Sequence, residues 1–317
     1  MRAVVLRAPG QAPDALEHPD PVPGPGQVLV EVLAAPVTPL DLLCASGTSY
    51  LGVPATPYVP GVQGVGRVEG RTVWFPTPAG TAPGDGSMAE RAAVARDDLV
   101  DLPDGADPVR VAALGLSAVA ASAALHRRGG LGAGERVLVL GAGGTVGQAA
   151  VQLARLAGAG TVVAAARSAG ARERARAAGA DAVVALDTGE VDELARRFRD
   201  AAGGDVDLVV DTLFGPAAVA ACRALAPGGR LVNLGGSASP TAALESGVLR
   251  GRSLRVLGWT NLELTPAERS AGVAEVAALS ARGELSVPHE AVPLADAATA
   301  WARQAAGAAA ARLVLVP

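Results

Sequence analysis

The stretch VLVLGAGGTVG, Val137 to Gly147, decides the fold. Four consecutive apolar residues run into a glycine-rich turn, and beyond it Val146, Ala150, Leu153 and Ala157 fall on one helical stripe. Strand, tight turn and helix in immediate succession suit a dinucleotide diphosphate. Small residues let the backbone approach the phosphates, and the unpaired N–H groups and dipole at the helix start attract negative charge. The spacing is Ala142-x-Gly144-x-x-Gly147 rather than a strict GxGxxG, with Gly141 and Gly143 loosening the turn further. Alone, such a turn also fits a strand-to-helix connection with no ligand.

The surroundings favour the ligand. Five more short apolar runs follow at regular intervals: Thr161 to Ala166, Ala182 to Leu186, Leu208 to Val210, Arg230 to Leu234 and Leu254 to Gly258. They do not alternate, so they read as strands buried on both faces, as in a parallel sheet covered by helices. The expectation is an α/β protein whose core is a Rossmann, doubly wound, six-stranded parallel sheet. Ala142, Gly143, Gly144, Thr145, Val146 and Gly147 are then the candidate cofactor-binding residues of its first turn.

Proline marks where this pattern begins. Sixteen of the 23 prolines lie at or before Pro108 and none between Val109 and Gly215. Proline is expelled from helix interiors and central strands, so the first third reads as loop-rich β structure, with strands at Val28 to Val32, Val65 to Val68 and Thr72 to Phe75. Near the end, TPAE from Thr265 signals a helix start, Gly283 a stop, and Arg312 to Val316 a last strand that returns to the N-terminal part.

The end of the second apolar run decides which dinucleotide. An NAD site places Asp or Glu there for the ribose 2′-hydroxyl, roughly twenty residues beyond the glycines. Here Ala166 is followed by Arg167 and Ser168, and the first carboxylate is Glu173. A guanidinium and a hydroxyl suit a 2′-phosphate, with Arg172 as a second clamp, so the expected cofactor is NADPH. The alternative is that Arg167 is a solvated loop residue.

Absences remove other chemistry. All 27 basic residues are Arg, which excludes Schiff-base, P-loop and Ser-Lys chemistry. Two cysteines 178 positions apart make neither a disulfide framework nor a Cys-rich zinc site. The net charge of −4 and 18% charged residues give no electrostatic footprint for nucleic acid or an anionic membrane. The longest apolar run, Val111 to Leu125, is short of the roughly 18 residues a membrane span needs, and Arg7 interrupts any signal-like segment. The chain reads as soluble and cytoplasmic.

Seven stretches together resemble the medium-chain dehydrogenase/reductase superfamily, in its zinc-independent quinone oxidoreductase and enoyl reductase-like branch. They are GQVLVEVLAAPVTPLD (Gly26 to Asp41), YVPGVQGVGRV (Tyr58 to Val68), SMAERAAV (Ser87 to Val94), AALGLSA (Ala112 to Ala118), GERVLVLGAGGTVGQAAVQLARLAGA (Gly134 to Ala159), LAPGGRLVNLGG (Leu225 to Gly236) and VPLADAATAWARQ (Val292 to Gln304). The resemblance implies a GroES-like, β-rich catalytic domain over residues 1–113 and 261–317 and a Rossmann NADP-binding domain over 114–260. It also implies a homodimer joined through the sheet edge near Leu254 to Trp259. At the positions of the zinc ligands of related alcohol dehydrogenases stand Thr38, Val62 and Gln63, which cannot replace a Cys and a His-Glu pair, so no metal is expected.

What the resemblance then implies is hydride transfer to a small molecule whose carbon is made electrophilic by conjugation, a quinone or an activated C=C bond. Thr38 stands where an Asn is usual in this branch and is the candidate for substrate or ribose contact. Asp41 is open between a catalytic acid and a helix-start cap. Tyr50 is open between a proton donor and a packed aromatic. Ser117 is a cofactor contact or a small packing residue, and Gly235 and Gly236 leave room for the nicotinamide. Trp259 and Asn261 line the substrate side, Trp259 alternatively anchoring the dimer. Cys44 reads as a small buried hydrophobe. Carbonyl reduction on the same scaffold, and an NADPH-binding sensor without turnover, remain as alternatives.

Overall fold

The computed structural model describes all 317 residues. The chain forms two compact units, Met1–Gly115 with Pro266–Pro317 and Leu116–Thr265.

The first unit is β-rich. It begins with β1 (Arg2–Val5) and β2 (Asp14–Glu17), an antiparallel pair, followed by β3 (Gln27–Pro36). In β3, Val28, Val30 and Val32 are buried while Gln27, Leu29 and Glu31 are exposed, the alternation that the sequence shows for a half-buried strand. After α1 (Pro39–Ser46) come β4 (Gln63–Val68), β5 (Arg71–Pro76), β6 (Arg91–Ala95) and β7 (Val100–Asp101). β6 is alanine-rich and pairs with the start of β3. The helix α2 (Pro108–Ala123) bends at Gly115, whose φ of 32° and ψ of −134° are not helical. Apolar length alone would let the helical stretch Pro108–Arg128 cross a membrane, but this bend interrupts it and about half of it is buried, which marks a core helix.

The second unit is a parallel sheet. Its strands are β8 (Arg136–Leu140), β9 (Thr161–Ala166), β10 (Ala182–Ala185), β11 (Val206–Asp211), β12 (Leu225–Asn233) and β13 (Arg255–Gly258). They are joined by α3 (Thr145–Leu156), α4 (Ala169–Ala177), α5 (Val191–Ala202), α6 (Gly215–Ala224) and α7 (Ser246–Gly251). The spatial order β10-β9-β8-β11-β12-β13 is the Rossmann order, and all five pairings are parallel. Val137, Leu138, Val139 and Leu140 are all 0% exposed, as unbroken apolar strands in a covered sheet must be. β11 starts two residues earlier than its apolar run and β12 five residues earlier, because their pairing slips between Val206 and Leu208 and so carries the turn-like Pro227-Gly228-Gly229 inside the ladder.

The tail returns to the first unit through α8 (Pro266–Ala281), β14 (His289–Pro293), α9 (Ala297–Ala305) and β15 (Arg312–Val316). β15 pairs antiparallel with β3, opposing Val314 to Pro36 and Leu315 to Ala35. Leu313, Leu315 and Trp301 thereby enter the same core as Val4, Val30 and Phe75.

Candidate functional site

The turn from β8 to α3 is shaped by what its glycines would otherwise strike. Gly141 has a φ of 78°, and a Cβ there would lie 2.2 Å from Thr212 Oγ1. A Cβ on Gly143 would lie 2.4 Å from that of Ala171 on α4, and one on Gly147 would lie 2.5 Å from the Gly141 carbonyl oxygen. Gly144 differs: a Cβ would meet only the Gly141 oxygen at 3.6 Å, and the residue is exposed. Three glycines therefore pack the turn and one opens it to a ligand. Gly144 is the N-cap of α3 and no side chain caps the first turn, so the N–H groups of Thr145 and Val146 are left for an anion.

The Gly143 carbonyl is held from two sides, by Gln148 Nε2 at 3.0 Å and Arg174 Nε at 3.1 Å. Neither residue stood out in the sequence. Arg174 lies six residues past Ser168 and two past Arg172 on α4, and only folding brings it back to the glycines. Gln148 is buried but lies off the stripe of Val146, Ala150, Leu153 and Ala157, so the periodicity of α3 gives no signal for it.

At the end of β9, Arg167 is exposed and its side chain has no partner within the protein. Ser168 caps α4, its Oγ accepting from Ala171 N at 3.2 Å, which leaves the hydroxyl hydrogen available. Arg172, expected as a second clamp, instead donates to the Arg167 carbonyl at 2.5 Å. It braces the bend that presents Arg167.

Beyond β12, Gly235 and Gly236 form a loop whose entry is held by Asn233 Nδ2 donating to the Gly235 oxygen at 2.9 Å. Ser117 lies half-buried on α2, directly after Leu116. Trp259 is buried, and its Nε1 donates to Asn261 Oδ1 at 3.2 Å, while Asn261 Nδ2 donates to the Leu116 oxygen at 2.8 Å. Both ends of the Asn261 amide are thus engaged within the protein, and the guanidinium of Arg127 covers the Trp259 ring at 5.6 Å. These two residues brace the segment after β13 rather than present free polar groups, and a buried Trp259 is no interface anchor.

In the other unit, Thr38 and Asp41 meet. Thr38 is the N-cap of α1, and together they make a full capping box. Thr38 Oγ1 donates to Asp41 Oδ2 at 2.5 Å, the same oxygen accepts from Thr38 N at 2.8 Å, and Oδ1 accepts from Val62 N at 2.9 Å. Burial pushes the Asp41 carboxyl above its ordinary value, opposed by the hydrogen bonds from Thr38 and Val62 and by nearby Arg312. Arg312 is itself lowered to about 10 by burial and donates to the Val37 oxygen at 2.9 Å. Asp41 is therefore a cap, the structural side of its two readings.

Tyr50 is not the packed aromatic of one of its readings, and the proton-donor reading stays open. It is 74% exposed, because the chain turns outward at Gly47 (φ 72°) and closes a small bridge between Ser49 and Gly52. Tyr58 is the buried tyrosine of this unit, its hydroxyl made less acidic by burial. Cys44 is 1% exposed with its thiol pushed up to about 11 by burial, so it is an inert core residue. Gln63 Oε1 accepts from Trp74 Nε1 at 3.0 Å, and Val62 offers no side-chain donor atom.

The comparisons agree with this architecture. A family model described as zinc-binding dehydrogenase matches residues 145–277. The quinone oxidoreductase of Thermus thermophilus, solved alone and in complex with NADPH, superimposes with a TM-score of 0.82 at 32% identity over 100% of both chains. The chain belongs to the medium-chain dehydrogenase/reductase superfamily, in its quinone oxidoreductase and enoyl reductase-like branch. Its second unit has the NADP-binding fold of that superfamily. Among curated relatives, the spectinabilin polyketide synthase protein NorB of Streptomyces orinoci is 33% identical over 270 residues, 82% of this chain and 12% of the synthase. Pig quinone oxidoreductase is 38% identical over 149 residues, 44% of either chain. The matches thus span only part of these relatives' own lengths.

Proposed function

We propose that this protein is an oxidoreductase that uses NADPH to reduce a quinone or an activated C=C bond, and that it does so without a metal. The observation that carries the cofactor assignment is the end of β9, where an exposed, unpartnered Arg167 stands in place of a carboxylate. The NADPH complex of the similar Thermus quinone oxidoreductase supports it.

The metal-free part rests on the donor set. Thr38 Oγ1 is engaged with Asp41, the Gln63 carbonyl oxygen with Trp74, and Val62 has nothing to offer. Zinc takes thiolate, imidazole or carboxylate, and no group of three His, Cys, Asp or Glu residues could hold an ion in this chain. A substrate already activated by conjugation needs no Lewis acid.

Bound NADPH supplies the hydride. The chain's part is to hold the diphosphate on the N–H groups of Thr145 and Val146, the 2′-phosphate on Arg167 and Ser168, and the nicotinamide against the Gly235–Gly236 loop. Consumption of NADPH with a panel of quinones, enones and enoyl thioesters tests this: turnover with at least one member is expected.

One observation favours a second reading, a dinucleotide-binding sensor. The polar groups singled out for chemistry, Thr38, Asp41 and Asn261, are engaged within the protein, and Tyr50 lies in solvent. Tight NADPH binding with no turnover across the panel would establish that reading instead. We also propose a homodimer through β13, whose outer edge is unpaired and whose Val256 is 38% exposed. Light scattering of the purified protein should give twice the 31.3 kDa chain mass, and a charged residue at position 256 should halve it.

A further inference from the structure

Asp211 ends β11, the strand across the switch point from the glycine turn, and it is 0% exposed. Its Oδ1 accepts from Leu213 N and Phe214 N, each at 2.9 Å, and its Oδ2 accepts from Asn233 Nδ2 at 2.9 Å. Asn233, at the end of β12, passes the same amide nitrogen to the Gly235 oxygen. One carboxylate thus fastens the loops that leave two adjacent strands.

Those loops are interlocked above it. Ser237 donates to the Thr212 oxygen through both its N (3.3 Å) and its Oγ (2.8 Å), and Ala238 N and Ser239 N donate to the Leu213 oxygen. Thr212 in turn lies against Gly141 and donates to the Leu140 oxygen at 3.0 Å. Phe214 has a φ of 60° and a ψ of −159°, a strained backbone for a residue with a Cβ, which persists only where its surroundings over-determine it. The carboxylate on its N–H is one such constraint.

In a doubly wound sheet the adenosine half of a dinucleotide lies toward the second strand, here β9, and the other half beyond the switch point, over β11 and β12. We infer that Asp211, through Asn233, is the positioning residue for the nicotinamide half of the site. This rests on the dinucleotide reading above. An isosteric Asp211→Asn keeps shape but sets its amide N–H against either the two backbone donors or the Asn233 amide.

Calorimetry with NADPH and with 2′-phospho-ADP-ribose, the same molecule without the nicotinamide ring, tests it. D211N should weaken NADPH about tenfold and leave the fragment within about twofold. Ser237→Ala, at an exposed position that folding tolerates, should shift NADPH in the same direction by about threefold. Equal losses for both ligands, or no loss in either variant, would overturn the inference while wild-type binding upheld the dinucleotide reading. A wild type that bound neither ligand would sink both.

Discussion

Thr38 Oγ1 donates to Asp41 Oδ2 at 2.5 Å while Asp41 N donates back to Thr38 Oγ1 at 3.3 Å, so two residues with the chemistry of a hydroxyl and an acid close a helix end on each other. The carboxylate oxygens accept from Thr38 Oγ1, Thr38 N and Val62 N. Asp41→Asn should therefore act on stability. It leaves one of these buried donors facing an amide N–H, at a cost of about 2 kcal/mol. A lowered melting temperature with the NADPH affinity unchanged is expected. A variant that melted as the wild type but lost turnover would return Asp41 to catalysis.

Arg167 should discriminate between cofactors. With no internal partner to lose, Arg167→Ala should leave the melting temperature unchanged and weaken NADPH by about tenfold or more, a charge-assisted contact being worth roughly 1.5–3 kcal/mol. NADH, which lacks the 2′-phosphate, should bind as before. Titration of both dinucleotides against both proteins decides it, and equal losses would remove the 2′-phosphate from this position.

The two glycines at the start of α3 should fail differently. Gly147→Ala places a methyl 2.5 Å from the Gly141 oxygen and 2.6 Å from Ala142 Cα, both backbone, so α3 must move off the turn. Stability and affinity for either dinucleotide should fall together. Gly144→Ala has a φ of −84° and no close neighbour, so it should fold normally and lose affinity alone, its methyl standing on the open side of the turn. Melting curves beside NADH and NADPH titrations separate the cases.

The parallel sheet was legible because burial on both faces writes itself into sequence as unbroken apolar runs, and Val137 to Leu140 carries its turn directly behind it. β6 and β14 were not: RAAVA and HEAVP are short, weakly apolar and stabilised by long-range pairing with β3 and β15. The same contrast holds at the site. Glycines at the turn and Arg167 at a strand end are positional signals, readable by counting. Arg174 and Asp211 act through partners 31 and 22 residues away, Gly143 and Asn233, which no local pattern announces. Asp41 was ambiguous because a cap and a catalytic acid share a residue type, and only the occupancy of both oxygens separates them.

Acid should loosen the second unit through Glu135 and Arg230. Arg230 is 6% exposed, and its Nη1 and Nη2 donate to Glu135 Oε1 and Oε2 at 2.7 and 2.5 Å, while Nε and Nη2 also reach the Gly129 and Gly130 oxygens. The hydrogen bonds from Arg230 hold the Glu135 carboxyl below its ordinary value of 4.5, against the opposing effect of burial. A carboxyl more acidic in the folded state than in the unfolded chain stabilises the fold fully above the unfolded value, and that contribution is lost as pH falls through the depressed one. Glu135→Gln, unable to ionise, should lower stability by about 1–3 kcal/mol at neutral pH, because it leaves a buried guanidinium without its counter-charge. Its stability should also fall less steeply than that of the wild type as pH drops through and below the ordinary carboxylate value, where the pair dissolves. Urea melts of the two proteins across that range measure both effects, and parallel curves would show that another carboxylate governs the acid transition.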